Sequence, residues 1–149
     1  MQVEHRIAIA ASPYTIFQIY EDVQNWHTWD PDTKQAILEG PFRVGSRGRI
    51  TPSKGMTVPM LLIQVEPDKC FTVESNIPLF RMLFEHELIP LDGATEVIHR
   101  VKFSGFLSIF LGPALSKQLN AGLPVTLRRL KALAEGAGAA SLKYETKTI

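Results

Sequence analysis

The chain has 149 residues, enough for one domain with a real core, and its sixteen basic and fifteen acidic residues leave a formal charge of +1. No stretch collects enough Lys and Arg to track phosphates, so nucleic acid is not an expected partner. A single cysteine, Cys70, excludes an intrachain disulfide and any cysteine-rich metal site, which fits a reducing compartment, and a cytoplasmic location is expected. The start, MQVEHRIAIAASP, places charges where a signal peptide needs apolar residues, and the greasiest run, 106–115, is too short to span a bilayer.

Val3, His5, Ile7 and Ile9 alternate with Glu4, Arg6 and Ala8, which predicts a strand over 2–10 with one buried face. Ser12-Pro13 opens a helix, because the serine side chain caps free N–H groups and proline at the first position has no N–H to leave unpaired. Its apolar side is Ile16, Phe17 and Tyr20. Residues 25–31, NWHTWDP, form a second turn or helix that Asp30-Pro31 ends.

Residues 33–39 read as a strand, and the loop GPFRVGSRG carries Phe42 and Val44, too apolar for a wholly solvated loop. Arg47 to Lys54 alternates. Val58 to Val65 is almost continuously apolar, and Glu66-Pro67-Asp68-Lys69 turns the chain into the next strand. Pairing about that turn sets Leu62 opposite Val73 and Met60 opposite Ser75, with Phe71 on the same inner face. Pro59 argues against a central position for that strand.

Asp92-Gly93 tolerates the positive φ angles of a tight turn, so 84–103 reads as a β-hairpin. The register then places Phe84 against Val101, His86 against His99, and Leu88 against Val97 on one face, and Glu85 against Arg100 on the other. Two imidazoles therefore share an apolar face. After Ser104-Gly105, Leu115, Leu119, Leu123, Leu127 and Leu130 recur at helical spacing, which predicts an amphipathic helix over 113–135 with a kink at Pro124. The tail, 137–149, has no periodicity and is expected to be mobile, which leaves 1–136 as the single domain.

The order β, α, α, six strands and a long helix is an α+β pattern, with the helix the only element long enough to cover the sheet. Space between sheet and helix is the candidate pocket. Its expected lining is His86, His99, Met60, Leu62, Val73, Phe84, Val101 and Phe103 from the sheet and Leu119 and Leu123 from the helix; Phe71 and Met82 share the sheet face, and Trp29 is assigned to core. The histidine pair has three readings: a polar anchor for a ligand, an acid/base pair for enolisation or aldol closure, or groups satisfied by each other, by a tyrosine or by water. No Asp, Glu or Cys shares the hairpin's inner face to complete a metal shell, and neither a metal nor a cofactor is expected. No Gly-x-Ser-x-Gly elbow, phosphate loop or dinucleotide motif occurs. The apolar run 106–115 suits packing over the sheet edge, transient contact with a bilayer, or pairing as a homodimer.

Ala11-Ser12-Pro13, Asp22 with Trp26 and Trp29, Gly40, Val44-Gly45, His86-Glu87-Leu88-Ile89-Pro90, Gly93-Ala94-Thr95, His99, Phe103-Ser104-Gly105, Leu130-Lys131 and Ala134-Glu135 follow in an order that resembles the polyketide cyclase/dehydrase and lipid-transport proteins of the START-like (SRPBCC) superfamily. The resemblance runs nearly end to end. It implies a helix-grip fold, a seven-stranded antiparallel sheet curled around the C-terminal helix with a cavity for apolar ligands, and it implies no fixed catalytic set. Three functions follow: a carrier of a small apolar or amphipathic ligand (lipid, isoprenoid or polyketide-like), an aromatase/cyclase-type enzyme, or an interaction module with a filled core.

Overall fold

The computed structural model describes the backbone of residues 1–147 and side chains through residue 137. Seven strands form one sheet: β1 (Gln2–Ile9), β2 (Thr33–Glu39), β3 (Arg47–Pro52), β4 (Val58–Glu66), β5 (Cys70–Ile77), β6 (Phe80–Leu91) and β7 (Ala94–Ser104). Their order is β1-β7-β6-β5-β4-β3-β2, every pairing antiparallel. Two helices, α1 (Pro13–Glu21) and α2 (Ser108–Lys147), and a 3-10 segment (Val23–Thr28) complete the fold. This is the α+β helix-grip arrangement, with meandering hairpins from β2 to β7 and β1 closing beside the last strand.

Local chemistry sets the boundaries. The Ser12 hydroxyl accepts from the Thr15 backbone N–H at 3.2 Å and so caps α1. At the β6–β7 turn Gly93 takes φ +73°, and Leu91 pairs with Ala94, so every hairpin pairing read from the sequence is present. Between β4 and β5, Leu62 pairs with Val73, whereas Gln64 pairs with Thr72. The intervening Ile63 is a bulge. It absorbs the extra residue of the Pro67-Asp68-Lys69 loop, in which Asp68 adopts φ +63°, and keeps Phe71, Val73 and Leu62 facing inward.

Pro59 departs from expectation, because β4 lies inside the sheet between β3 and β5. Pairing with β5 begins only at Leu61, so the N–H that proline lacks removes no ladder bond on that side. Helix α2 also starts earlier than expected, at Ser108. Pro113, read as its first residue, and Pro124 both lie inside it. Residues 137–147 of the expected tail continue α2, and residues 148 and 149 lie outside the described residues.

Burial along α2 is graded. Leu115 and Leu119 keep part of their surface, Leu123 is nearly covered, and Leu127, Leu130 and Ala134 are fully buried against Ile16, Phe17, Tyr20 and Trp29. A second cluster, Val3, Phe80, Val101 and Phe103, packs with Leu123. The open space lies between these two packed regions.

Candidate functional site: a histidine pair on an apolar cavity

An apolar cavity of about 250 Å³ lies under the first half of α2, walled by Val73, Met82, Phe84, His86, His99 and Val101 from the sheet. Leu115, Gln118, Leu119, Leu123 and Thr126 close it from the helix, and Trp26, Trp29 and Asp30 from the segment after α1. A wider depression of about 940 Å³ on the opposite, polar side of the sheet, bordered by Gln64, Thr72, Glu85, Glu87 and Arg100, is open to solvent. This partly open cavity suits an apolar guest, although it falls just below the usual range of ligand pockets, about 300–1,000 Å³.

Of the expected lining, His86, His99, Val73, Phe84, Val101, Leu119 and Leu123 border the cavity. Met60, Leu62 and Phe103 do not. Met60 and Leu62 are 1% and 0% exposed in the core with Phe71, and Phe103 stacks on Phe80 with ring centroids 6.1 Å apart. Sheet-face alternation selects the correct side, but which inward residues meet helix and which meet open space depends on where α2 crosses. Trp29, 4% exposed, is both core and cavity wall. Phe42 folds over Phe17 and Phe71 and belongs to the core rather than to the cavity wall.

The paired histidines are neighbours as the register requires, with ring centroids 4.6 Å apart and edge to face. His86 stacks flat on Phe71 at 3.9 Å, and its Nδ1 lies 3.3 Å from the Phe71 carbonyl oxygen. A carbonyl only accepts, so Nδ1 carries the hydrogen and Nε2 keeps its lone pair. His99 Nε2 lies 2.8 Å from the Tyr20 hydroxyl, which is fully buried. Among the described residues no other acceptor meets that hydroxyl. Tyr20 therefore donates to Nε2, and Nδ1 of His99 carries its own hydrogen.

Each imidazole thus has one nitrogen held by protein and a second that no described residue engages. The two free positions differ: His86 Nε2 accepts and His99 Nδ1–H donates. Burial lowers the His86 pKa to about 4, and burial together with the neighbouring His86 drives that of His99 well below its usual value. Both rings are neutral near pH 7. Burial likewise pushes the Tyr20 phenol upward, so it stays protonated.

Two features escape a reading of the hairpin alone. Tyr20, counted only on the apolar side of α1, turns its hydroxyl to the histidines. His5 stands opposite His99 in the β1–β7 register, making a row of three imidazoles across adjacent strands, but its Nε2 bonds Asn120 Oδ1 of α2 at 2.8 Å. The alternation of Val3, His5 and Ile7 carried that signal, and pairing of the first strand with the last was the missing step. Among the described residues no group of three or more His, Cys, Asp or Glu side chains converges to hold a metal. Trp29 Nε1 is buried without a partner among the described residues, its ring 6.2 Å from that of His99.

Acidic groups bear on the cavity from its rim and from the outer face of the sheet. Glu85 faces outward, 2.7 Å from Arg100 and 2.9 Å from Lys102. Asp30, whose pKa burial raises, accepts from Thr33 Oγ1 at 2.8 Å and from Thr126 Oγ1 at 3.2 Å, tying the loop before β2 to α2 at the cavity rim. Gly122 lies against the Asp32 carboxylate, which a side chain at this position would have to push aside. No helix among the described residues is long and apolar enough to cross a membrane.

The seven-stranded antiparallel sheet with its long C-terminal helix is the architecture of START-like proteins. Residues 1–135 match the family model described as polyketide cyclase / dehydrase and lipid transport, and the chain belongs to that family. Among curated proteins none matches it. It is similar to a START superfamily protein from Mycobacterium smegmatis, with TM-score 0.74 and 17% identity over 91% of this chain and 98% of that one. It is also similar to the Zhui aromatase/cyclase from Streptomyces sp. R1128, with TM-score 0.73 and 15% identity over 91% of this chain and 93% of that one. The di-domain ARO/CYC StfQ of the steffimycin biosynthetic pathway gives TM-score 0.76 at 13% identity, over 93% of this chain and 51% of that one. Identities this low speak for the fold alone.

Proposed function

We propose that the protein binds a small apolar ligand carrying one hydroxyl group, held between the sheet and α2. The observation that supports this reading is the complementary histidine pair on the cavity wall: a neutral acceptor, His86 Nε2, beside a neutral donor, His99 Nδ1–H. A hydroxyl supplies both a hydrogen and a lone pair, and so satisfies the two neutral rings together. Phe84, Val101, Leu119 and Leu123 cover the rest of such a ligand. A cavity of about 250 Å³ suits a one- or two-ring molecule or a short chain. That cavity also separates this reading from an interaction module with a filled core. The family description and the neighbouring aromatase/cyclase are compatible with it.

A proton-moving reading, of the cyclase type, draws on the Tyr20–His99 hydrogen bond, which links the cavity wall to a second titratable group. Binding is the better supported of the two. Burial disfavours the protonated imidazole at both rings and outweighs the small rise in basicity that Glu85 gives His86 from its neighbouring position.

The test compares 1-naphthol with naphthalene by competition titration. The protein should prefer the naphthol by about tenfold, one hydrogen-bonded group's worth. His86→Phe should remove most of that preference and leave naphthalene affinity within about threefold. Equal preference in the two proteins would refute the reading.

A further inference from the structure

The end of the molecule beyond the cavity carries an apolar patch that no packing absorbs. Phe106 just before α2 and Ile109, Phe110 and Leu111 in its first turn are 62%, 68%, 67% and 42% exposed, and Leu79 in the β5–β6 turn is 63% exposed. The patch is contiguous. Phe106 and Phe110 rings stand 5.8 Å apart, and the Leu107 N–H donates to the Leu79 carbonyl at 2.9 Å. Leu79 is held there at a cost, for it adopts φ +64° in a turn where glycine or asparagine is normally preferred.

We infer that this patch docks the protein on an anionic lipid surface. Charge singles out that occupant. From Val97 to Ala134 the sequence contains no Asp or Glu. Arg81, beside the patch, is paired with Glu74, so the basic group left to face a surface is Lys117, exposed two turns along α2 from Phe110. Bulky apolar residues with only basic groups in the same segment match a negatively charged interface. A second copy of the chain fits less well. At the stated exposures the five side chains offer on the order of 550 Å², against about 800 Å² per partner in a stable interface. A homodimer would also bring the basic segments together.

Docking there sets the cavity against the bilayer. Leu111, Leu115, Leu119 and Leu123 make one i, i+4 stripe, from the exposed patch to the cavity wall. At 1.5 Å per residue Leu119 lies about 13 Å along the helix from Phe110. This surface stands independently of what the cavity holds.

Flotation with phosphatidylcholine vesicles, with and without phosphatidylserine, tests the proposal. The protein should float with the phosphatidylserine vesicles and be released by high salt. The double substitution Ile109→Ser with Phe110→Ser should weaken binding about a hundredfold, and Lys117→Glu, which leaves the apolar groups intact, roughly fivefold. Leu79→Gly should weaken binding while raising thermal stability, because it removes both an apolar contact and a strained φ. Absence of flotation, or equal flotation by all variants, would overturn the proposal. So would a dimer in sedimentation that the serine variant abolishes.

Discussion

Acidification probes the histidine pair most sharply. In the folded protein His86 titrates at about 4, while in the unfolded chain its pKa returns to about 6.5. A depressed folded pKa means that stability is full above about pH 6.5 and declines as pH falls, because the unfolded chain takes up a proton that the folded chain refuses. Between about pH 7.5 and pH 5 that difference amounts to about 2 kcal/mol from His86 alone, with the decline levelling off below about pH 4. His99, lowered further by burial and by His86, adds in the same direction. Asp30 runs the other way, since a carboxyl raised by burial is relieved as it protonates. Glu4 and Glu85, held low by their arginine and lysine partners despite some desolvation, lose their contribution only at the acid end of the range. Urea unfolding followed by tryptophan fluorescence at the two pH values reads the effect; at an m-value of about 2 kcal/mol/M the His86 share moves the midpoint by about 1 M. His86→Gln, which cannot titrate, should show a pH-induced loss smaller by about 2 kcal/mol. An unchanged loss in that variant would refute the neutral, enclosed state assigned to His86.

Tyr20→Phe keeps the ring that packs on Phe71 and Trp29 but deprives His99 Nε2 of its donor, and should cost about 1–3 kcal/mol by urea unfolding. Combined with His99→Phe, which removes the orphaned nitrogen, the loss should be less than the sum of the two single losses. Gly48→Ala should be among the most damaging small substitutions, because the new Cβ would stand 2.0 Å from the Ile37 carbonyl oxygen where β2 pairs with β3. Overpacking against backbone costs about 1–3 kcal/mol or more, readable as a drop in melting temperature of several degrees.

Much of this fold is written locally, and what is local could be read. Asp92-Gly93 fixed a turn, and one turn fixed the register that sets His86 against His99 and turns Glu85 toward Arg100. Serine and proline at 12 and 13 marked the start of α1. Long-range geometry was harder. The β1–β7 pairing, which brings His5 into the imidazole row, joins the two most distant strands in the sequence, and no turn announces it. Tyr20 reads as one more apolar residue until α1 is laid against the sheet. Met60, Leu62 and Phe103 have the same alternation as Val73, Phe84 and Val101, and only the path of α2 separates core from cavity wall. Pro113 offered an acceptable first position for a helix, so the true start at Ser108, inside an apolar run, was hidden by a stronger signal.

Native mass spectrometry of the purified protein after exposure to a total organic extract of cells tests the central claim most directly. The account predicts a discrete mass excess from one small neutral molecule carrying a hydroxyl, held by the native chain and lost from a His86→Phe, His99→Phe, Tyr20→Phe triple variant that remains folded. A chain that emerges bare from every extract, or one whose bound molecule is retained equally by the triple variant, would contradict it.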